Sequence, residues 1–413
     1  MARWGCVVDE GTGVKRRHVV AVLALTAPLV LAACSGAAGT STATSTTTTP
    51  GTASGIVYRF GVVGNHGKIA SLELHRPTPV TGISGTVVQI ATSNSDGYAL
   101  TSNGEVWAWG VASAGELGDG RTSPYDTHAV KVDFPAGVKI ATLANPMPFD
   151  GALAIDAHGR AWGWGLNAVG DLCLTGGTEL RPEPLPLSDV TLATGARTHS
   201  LFDAHGRVYA CGSGDYGELG TGSTADSATP TAVVGLPDTG VTTLTSSWGA
   251  SGALLDNGAY YNWGYNAAGQ LGNASTADSA VPVHVELPAT VRQVFQGGSG
   301  AKNGQTVVIL ANGSAWAWGA NTRGQLGNGA TTSSDVPVAV DVPAGVTFVT
   351  VNSGGYTSYA IDRSGSLWAW GDNLNGQLGT GPGTRRATRP VEVGIHLSQV
   401  SSTANNVAGL DRS

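Results

Sequence analysis

Three carboxylates recur at one place in a repeated turn: Glu116, Asp171 and Glu218 each precede a leucine in a glycine-rich tetrad. Acids at fixed spacing are the raw material of general acid–base catalysis. The same place holds Gln270, Gln325 and Gln377 in later copies. An amide oxygen accepts hydrogen bonds as a carboxylate does, but an amide cannot move a proton. A role open to both is hydrogen bonding within a turn. His158 and His205, in two copies of Asp-Ala-His-Gly, invite a metal-site reading. They occupy the slot that Asn103, Asn257 and Asn312 fill elsewhere, and histidine, like asparagine, is enriched at positive φ. No further Cys, His or Asp lies near them at ligand spacing, and no phosphate loop, Gly-x-Ser-x-Gly elbow or zinc motif occurs. The expectation is a protein that binds, with no catalytic residue, metal or cofactor.

Cys173 and Cys211 each replace a repeat residue in adjacent copies. In an oxidising compartment they could pair as a disulfide; two buried thiols are the alternative. The residues best suited to holding a partner lie in the loops that enter the second strand of each copy. Asp150, Arg197 and Tyr356 align at one position there, with Phe149 and Trp248 one residue earlier. The remaining copies carry Ser95, Gly249, Gly304 and Asn405. Aromatic rings and arginine dominate binding energy at interfaces, so these five form the candidate partner-binding rim. The bland alternative is that the rings only plug the rim.

The elements that position these residues repeat along the chain. An aromatic–x–aromatic–Gly strand ends at Gly110, Gly165, Gly264, Gly319 and Gly371, with degenerate copies ending at Gly212 and Gly61. From Gly61 to Gly371 is 310 residues over six intervals, a period of about 52, and a period of that size marks a repeat architecture. Each copy runs strand, tight turn, aromatic strand, then a Gly-polar-Leu-Gly turn. Asn103-Gly104, Asn257-Gly258 and Asn312-Gly313 predict two-residue hairpins with positive φ. Alternation in Trp107-Ala108-Trp109 puts both indoles on one face of a sheet. Four-stranded sheets covered on both faces by their neighbours are propeller blades. The carboxyl-terminal run Val407-Ala408-Gly409-Leu410-Asp411-Arg412-Ser413 matches Tyr359-Ala360-Ile361-Asp362-Arg363-Ser364, and Gly55-Ile56-Val57-Tyr58 matches Gly365-Ser366-Leu367-Trp368. The two ends are therefore halves of one blade. Six whole copies and one split copy predict an all-β, seven-bladed β-propeller whose N- and C-terminal strands share a blade, closing the ring and removing open edges.

Composition agrees. The 413 residues include 61 glycines and 11 tryptophans, with 12% charged residues and a formal charge of −7. An acidic body without a basic stripe is a poor match to nucleic acid. Lys15-Arg16-Arg17 precede an apolar run from Val19 to Ala33, shorter than the roughly 20 residues of a membrane-spanning helix. Basic residues followed by a short apolar run and small residues predict a secretory signal. Residues 1–33 are read as that signal, 34–54 as a Ser/Thr-rich flexible linker, and 55–413 as the propeller.

Leu31-Ala32-Ala33-Cys34 resembles the lipobox of bacterial lipoproteins, which implies cleavage before Cys34, a lipid on its thiol and an extracytoplasmic location at the cell membrane. Gly115-Glu116-Leu117-Gly118, Gly217-Glu218-Leu219-Gly220, Gly269-Gln270-Leu271-Gly272, Gly324-Gln325-Leu326-Gly327 and Gly376-Gln377-Leu378-Gly379, each following an aromatic strand, resemble the regulator-of-chromosome-condensation repeat over about residues 55 to 413. Gly170-Asp171-Leu172-Cys173 and His66-Gly67-Lys68-Ile69 depart from it. The resemblance implies the propeller. Its nuclear member is a guanine nucleotide exchange factor that docks on chromatin, and its secreted bacterial members include inhibitors of β-lactamases. Export favours a scaffold for a protein, peptide or glycan, with an enzyme inhibitor second. A propeller hydrolase or lyase would need converging carboxylates, Arg or His in the axial channel, which no repeated set supplies, and exchange activity follows only from the family resemblance.

Overall fold

A computed structural model describes residues 55–59, 78–298, 300, 303–374, 376–380, 385–403 and 406–411. The signal segment, Cys34, the linker, the turn at His66–Ile69 and Asn405 lie outside the described residues. The described residues form seven four-stranded antiparallel sheets. The first blade is Val87–Thr92, Gly97–Thr101, Val106–Ala112 and Ser123–Lys131. Five more begin at Ile140, Val190, Val241, Val291 and Phe348. First strands of neighbouring blades touch one another, which places them around the axis. Proline on the outermost strands (Pro182, Pro230, Pro282, Pro337) suits an exposed edge, where a missing N–H weakens pairing with another chain. Among the described residues, no helix is long and apolar enough to cross a membrane.

The seventh blade unites the chain ends. Ile56–Arg59 pairs with Asn406–Asp411 in the register Ile56↔Asp411, Val57↔Leu410, Tyr58↔Gly409 and Arg59↔Ala408. Gln399–Thr403 lies inside this pair and Thr78–Pro79 outside it. Val57 and Leu410 are buried there, so closure hides apolar surface as well as pairing an edge.

Blades are joined by one repeated latch. In four blades the second aromatic of the strand is fully buried, and its indole N–H donates to the carbonyl of the preceding blade's turn. Trp164 donates to Glu116 at 3.0 Å, Trp263 to Glu218 at 2.9 Å, Trp318 to Gln270 at 3.0 Å and Trp370 to Gln325 at 2.9 Å. The turn must end in glycine because the ring lies against it. A Cβ on Gly220, Gly272 or Gly327 would come within 2.7, 2.6 or 2.7 Å of the partner indole nitrogen. The seam between the second and third blades departs from this in both halves at once. Cys173 stands for the glycine, Cys211 stands for the tryptophan, and the two are joined in a disulfide. Without an indole in the seam, a side chain fits at the glycine site, and the sulfur bridge fills the space the ring would take.

The inner hairpins correct one expectation. Leu100 pairs with Val106 and Gly104 N–H closes a turn on Thr101, giving a three-residue loop in which only the glycine has positive φ. Asn103 serves by accepting from Glu105 N–H at 3.2 Å, and Asn257 and Asn312 do likewise. The Asp-Ala-His-Gly copies differ from each other. Asp156-Ala157-His158-Gly159 makes the three-residue loop, with His158 outside the positive-φ region. Asp203-Ala204-His205-Gly206 makes the two-residue loop, with Ala204 paired to Arg207 and both His205 and Gly206 left-handed. One residue fewer in that loop moves everything upstream of it by one place.

Candidate partner-binding site

That shift reassigns Arg197. In five blades, one residue of the second strand pairs with the glycine that ends the aromatic strand: Gly151 with Gly165, His199 with Gly212, Ala250 with Gly264, Gln305 with Gly319, Thr357 with Gly371. Counting back two from this landmark gives Phe149, Arg197 and Trp248. Counting back one gives Asp150, Thr198, Gly249 and Tyr356. Arg197 therefore belongs with Phe149 and Trp248, and not, as the matching Asp-Ala-His-Gly letters suggested, with Asp150 and Tyr356.

Phe149, Arg197 and Trp248 line one cavity, open to solvent at the axis. Its other walls come from Gln296 of the fifth blade, Ser353 of the sixth, and Ser402 of the seventh. Asp150 and Tyr356 are half-buried and are not among the residues lining it. The Arg197 guanidinium sits 5.5 Å from the centre of the Phe149 ring, within cation–π range. Trp248 is flanked by Tyr216, at 5.4 Å between ring centres, and Tyr265, at 5.5 Å and nearly perpendicular. These tyrosines also touch each other. They were not picked out from the sequence, although it held a signal: other copies place Ala114 and Ala268, or Val111 and Ala320, where this pair stands. Three rings in mutual contact fix the indole, so little side-chain entropy is left to lose on binding.

The acids are turn residues here. Glu116 accepts from Ala114 N–H at 2.6 Å and Glu218 from Tyr216 N–H at 2.8 Å. Gln270 and Gln325 make the same bond, from Ala268 and Arg323 N–H, both at 2.9 Å. Burial pushes the Asp171 and Glu218 carboxyls up to about 7 and raises Glu116. These residues are buried, which keeps substrate from them. His199 and Ser251 come closest to a nucleophile and base, with Nε2 and Oγ 2.8 Å apart. Ser251 Oγ, however, donates to the Glu218 carbonyl at 2.8 Å. Nε2 must then carry the proton, leaving Nδ1 a bare acceptor without a partner. Burial holds the ring neutral, lowering it to about 3, and both residues are fully enclosed. His158 is exposed and His205 faces Asp189 at 3.2 Å. Among the described residues, no three His, Cys, Asp or Glu side chains form a group able to hold a metal ion.

The profile of the regulator of chromosome condensation (RCC1) repeat matches residues 205–254, 257–301, 312–361 and 364–407, and a second form of it matches 348–377. Four consecutive stretches of the chain thus match the RCC1 repeat. The matched RCC1 units begin at or beside hairpin turns, so each takes the outer half of one blade and the inner half of the next. The same offset puts the chain ends in one sheet. The ultraviolet-B receptor UVR8 of Arabidopsis thaliana is 29% identical over 342 residues, which are 81% of this chain and 73% of the receptor. The E3 ubiquitin-protein ligase HERC2 of Homo sapiens is 26% identical over 309 residues, which are 71% of this chain and 6% of the ligase. Human WBSCR16 superposes with a TM-score of 0.73 at 19% identity, covering 87% of this chain and 98% of that one. Prp20p of Saccharomyces cerevisiae, described with its binding to Gsp1p and histones, gives 0.72 at 18%, covering 87% and 91%. At those identities the two structures speak for the fold.

Proposed function

We propose that this chain is a non-enzymatic scaffold that captures a protein partner at the axial mouth, displayed outside the cytoplasm on a lipid attached to Cys34. One observation carries the reading: three side chains of the types that anchor interfaces share a register and converge on one open cavity. Prp20p, an RCC1-type propeller of like fold, is described as binding Gsp1p and histones, which supports a protein as the class of partner. The Leu31-Ala32-Ala33-Cys34 pattern supports the address, and a buried disulfide suits an oxidising compartment. Inhibition of a secreted enzyme would use the same face, and adding the purified protein to β-lactamase assays probes that variant directly.

The test is a photo-crosslinking residue at position 149 in live cells, with mass spectrometry of the adduct and a fatty-acid label in parallel. A discrete adduct that disappears on Trp248→Ala, and a label that disappears on Cys34→Ala, are expected. Capture unaffected by Trp248→Ala refutes the mouth. A label that survives Cys34→Ala refutes the anchor.

A further inference from the structure

The chemistry of the mouth is more specific than its outline. The chain is acidic overall, yet among the described residues the cavity lining holds no carboxylate and Arg197 is its only charged residue. Arg197 is exposed and positioned over Phe149, and no ion pair occupies its fork among the described residues. A guanidinium held in place with its donors unused is a receptor for a planar anion.

Gln296 supplies the second signal. It lines the same cavity, is 3% exposed, and its Oε1 has no hydrogen-bond partner. Its orientation is fixed by neighbours. Asn262 donates through Nδ2 to the Gln270 carbonyl at 3.1 Å, so Asn262 Oδ1 must accept, and it does so from Gln296 Nε2 at 2.6 Å. Gln296 Oε1 is thereby left as a buried acceptor, a group that gains from an incoming N–H or O–H donor.

Resting on the scaffold reading above, we propose that the occupant is an acidic peptide loop. An Asp or Glu carboxylate meets Arg197 at the rim, and a neighbouring side chain bearing an amide or hydroxyl donor enters toward Gln296 between Phe149 and Trp248. One cation at the rim and one enclosed acceptor in the wall suit the side chains of a loop better than an oligosaccharide run.

Phage-displayed random peptides, panned on the full mature chain, supply the probe, and the selected sequences are remade with acetylated and amidated ends. An Asp or Glu should recur at one register, with binding that weakens as salt is raised. Arg197→Gln should weaken binding about tenfold or more and Arg197→Lys by about threefold, as expected when a forked contact is reduced to a point charge. Arg207→Gln, an exposed cation not among the cavity-lining residues, should leave binding unchanged. Both positions are on the surface, so the variants should fold. Failure to select any peptide, selection without an acid, indifference to Arg197→Gln, or displacement by polygalacturonate and not by acidic peptide would overturn the proposal. A cellular partner crosslinked at position 149 but indifferent to Arg197→Gln would remove this inference and leave the scaffold standing. Acidic peptides held by Arg197 with no cellular adduct would do the reverse.

Discussion

Glu218 illustrates how one residue can be read twice. Its carboxyl accepts a backbone bond that a glutamine makes equally well two blades on, but burial raises it from 4.5 to about 7. A folded-state value above the unfolded one means that the native chain binds the extra proton. Stability from this group is therefore complete below about pH 4.5 and declines as pH rises toward 7. Glu218→Gln should be close to neutral at pH 4 and should stabilise the chain at pH 8 by about 1–3 kcal/mol, seen as a higher melting temperature. Thermal melts at both pH values check this, and an equal effect at the two would count against the assignment. That these acids are turn residues was legible in the sequence, since the repeat supplies its own comparison with Gln270, Gln325 and Gln377. The place of Arg197 was not, because Asp-Ala-His-Gly is spelled identically in two blades that fold it into loops of different length.

At the level of the strand and turn, the alternating aromatics, the glycine turns and the shared blade could all be read from spacing, because a two-residue period and a fixed repeat leave few arrangements. The meaning of the cysteines could not. Cys173 and Cys211 look like separate lapses in two copies until the latch shows that glycine and tryptophan are contact partners in four other seams. The pair is thus a substitution of one seam chemistry for another. Restoring the usual pair with Cys173→Gly and Cys211→Trp together should give a chain that folds and whose melting is insensitive to dithiothreitol. Cys211→Ser alone should lose about 2–4 kcal/mol. Denaturant melts with and without reductant separate these outcomes, and a double variant less stable than the single one would contradict the latch. The two-residue hairpins expected at Asn-Gly became three-residue loops for a local reason. The asparagine side chain caps the following N–H, and the glycine alone takes the left-handed conformation.

For the molecule as a whole, the mouth exists only because the ring is closed. Its walls run from Phe149 in the second blade to Ser402 in the seventh, and the seventh blade is held to the first by Gln399, which donates to the Val88 carbonyl at 3.2 Å, and by Thr92 and Ser401, whose hydroxyls lie 3.0 Å apart. The strand pair Ile56–Arg59 and Asn406–Asp411 is therefore part of the binding site even though it does not line the cavity, because it holds in place Gln399–Thr403 of the same sheet, which does. The most direct measurement is the thermal melt of a chain lacking residues 400–413. Removing that strand pair should open the ring, lower the melting temperature and broaden the transition. A truncated chain that melts at the temperature of the intact one, in an equally sharp transition, would show that the chain ends do not close the propeller.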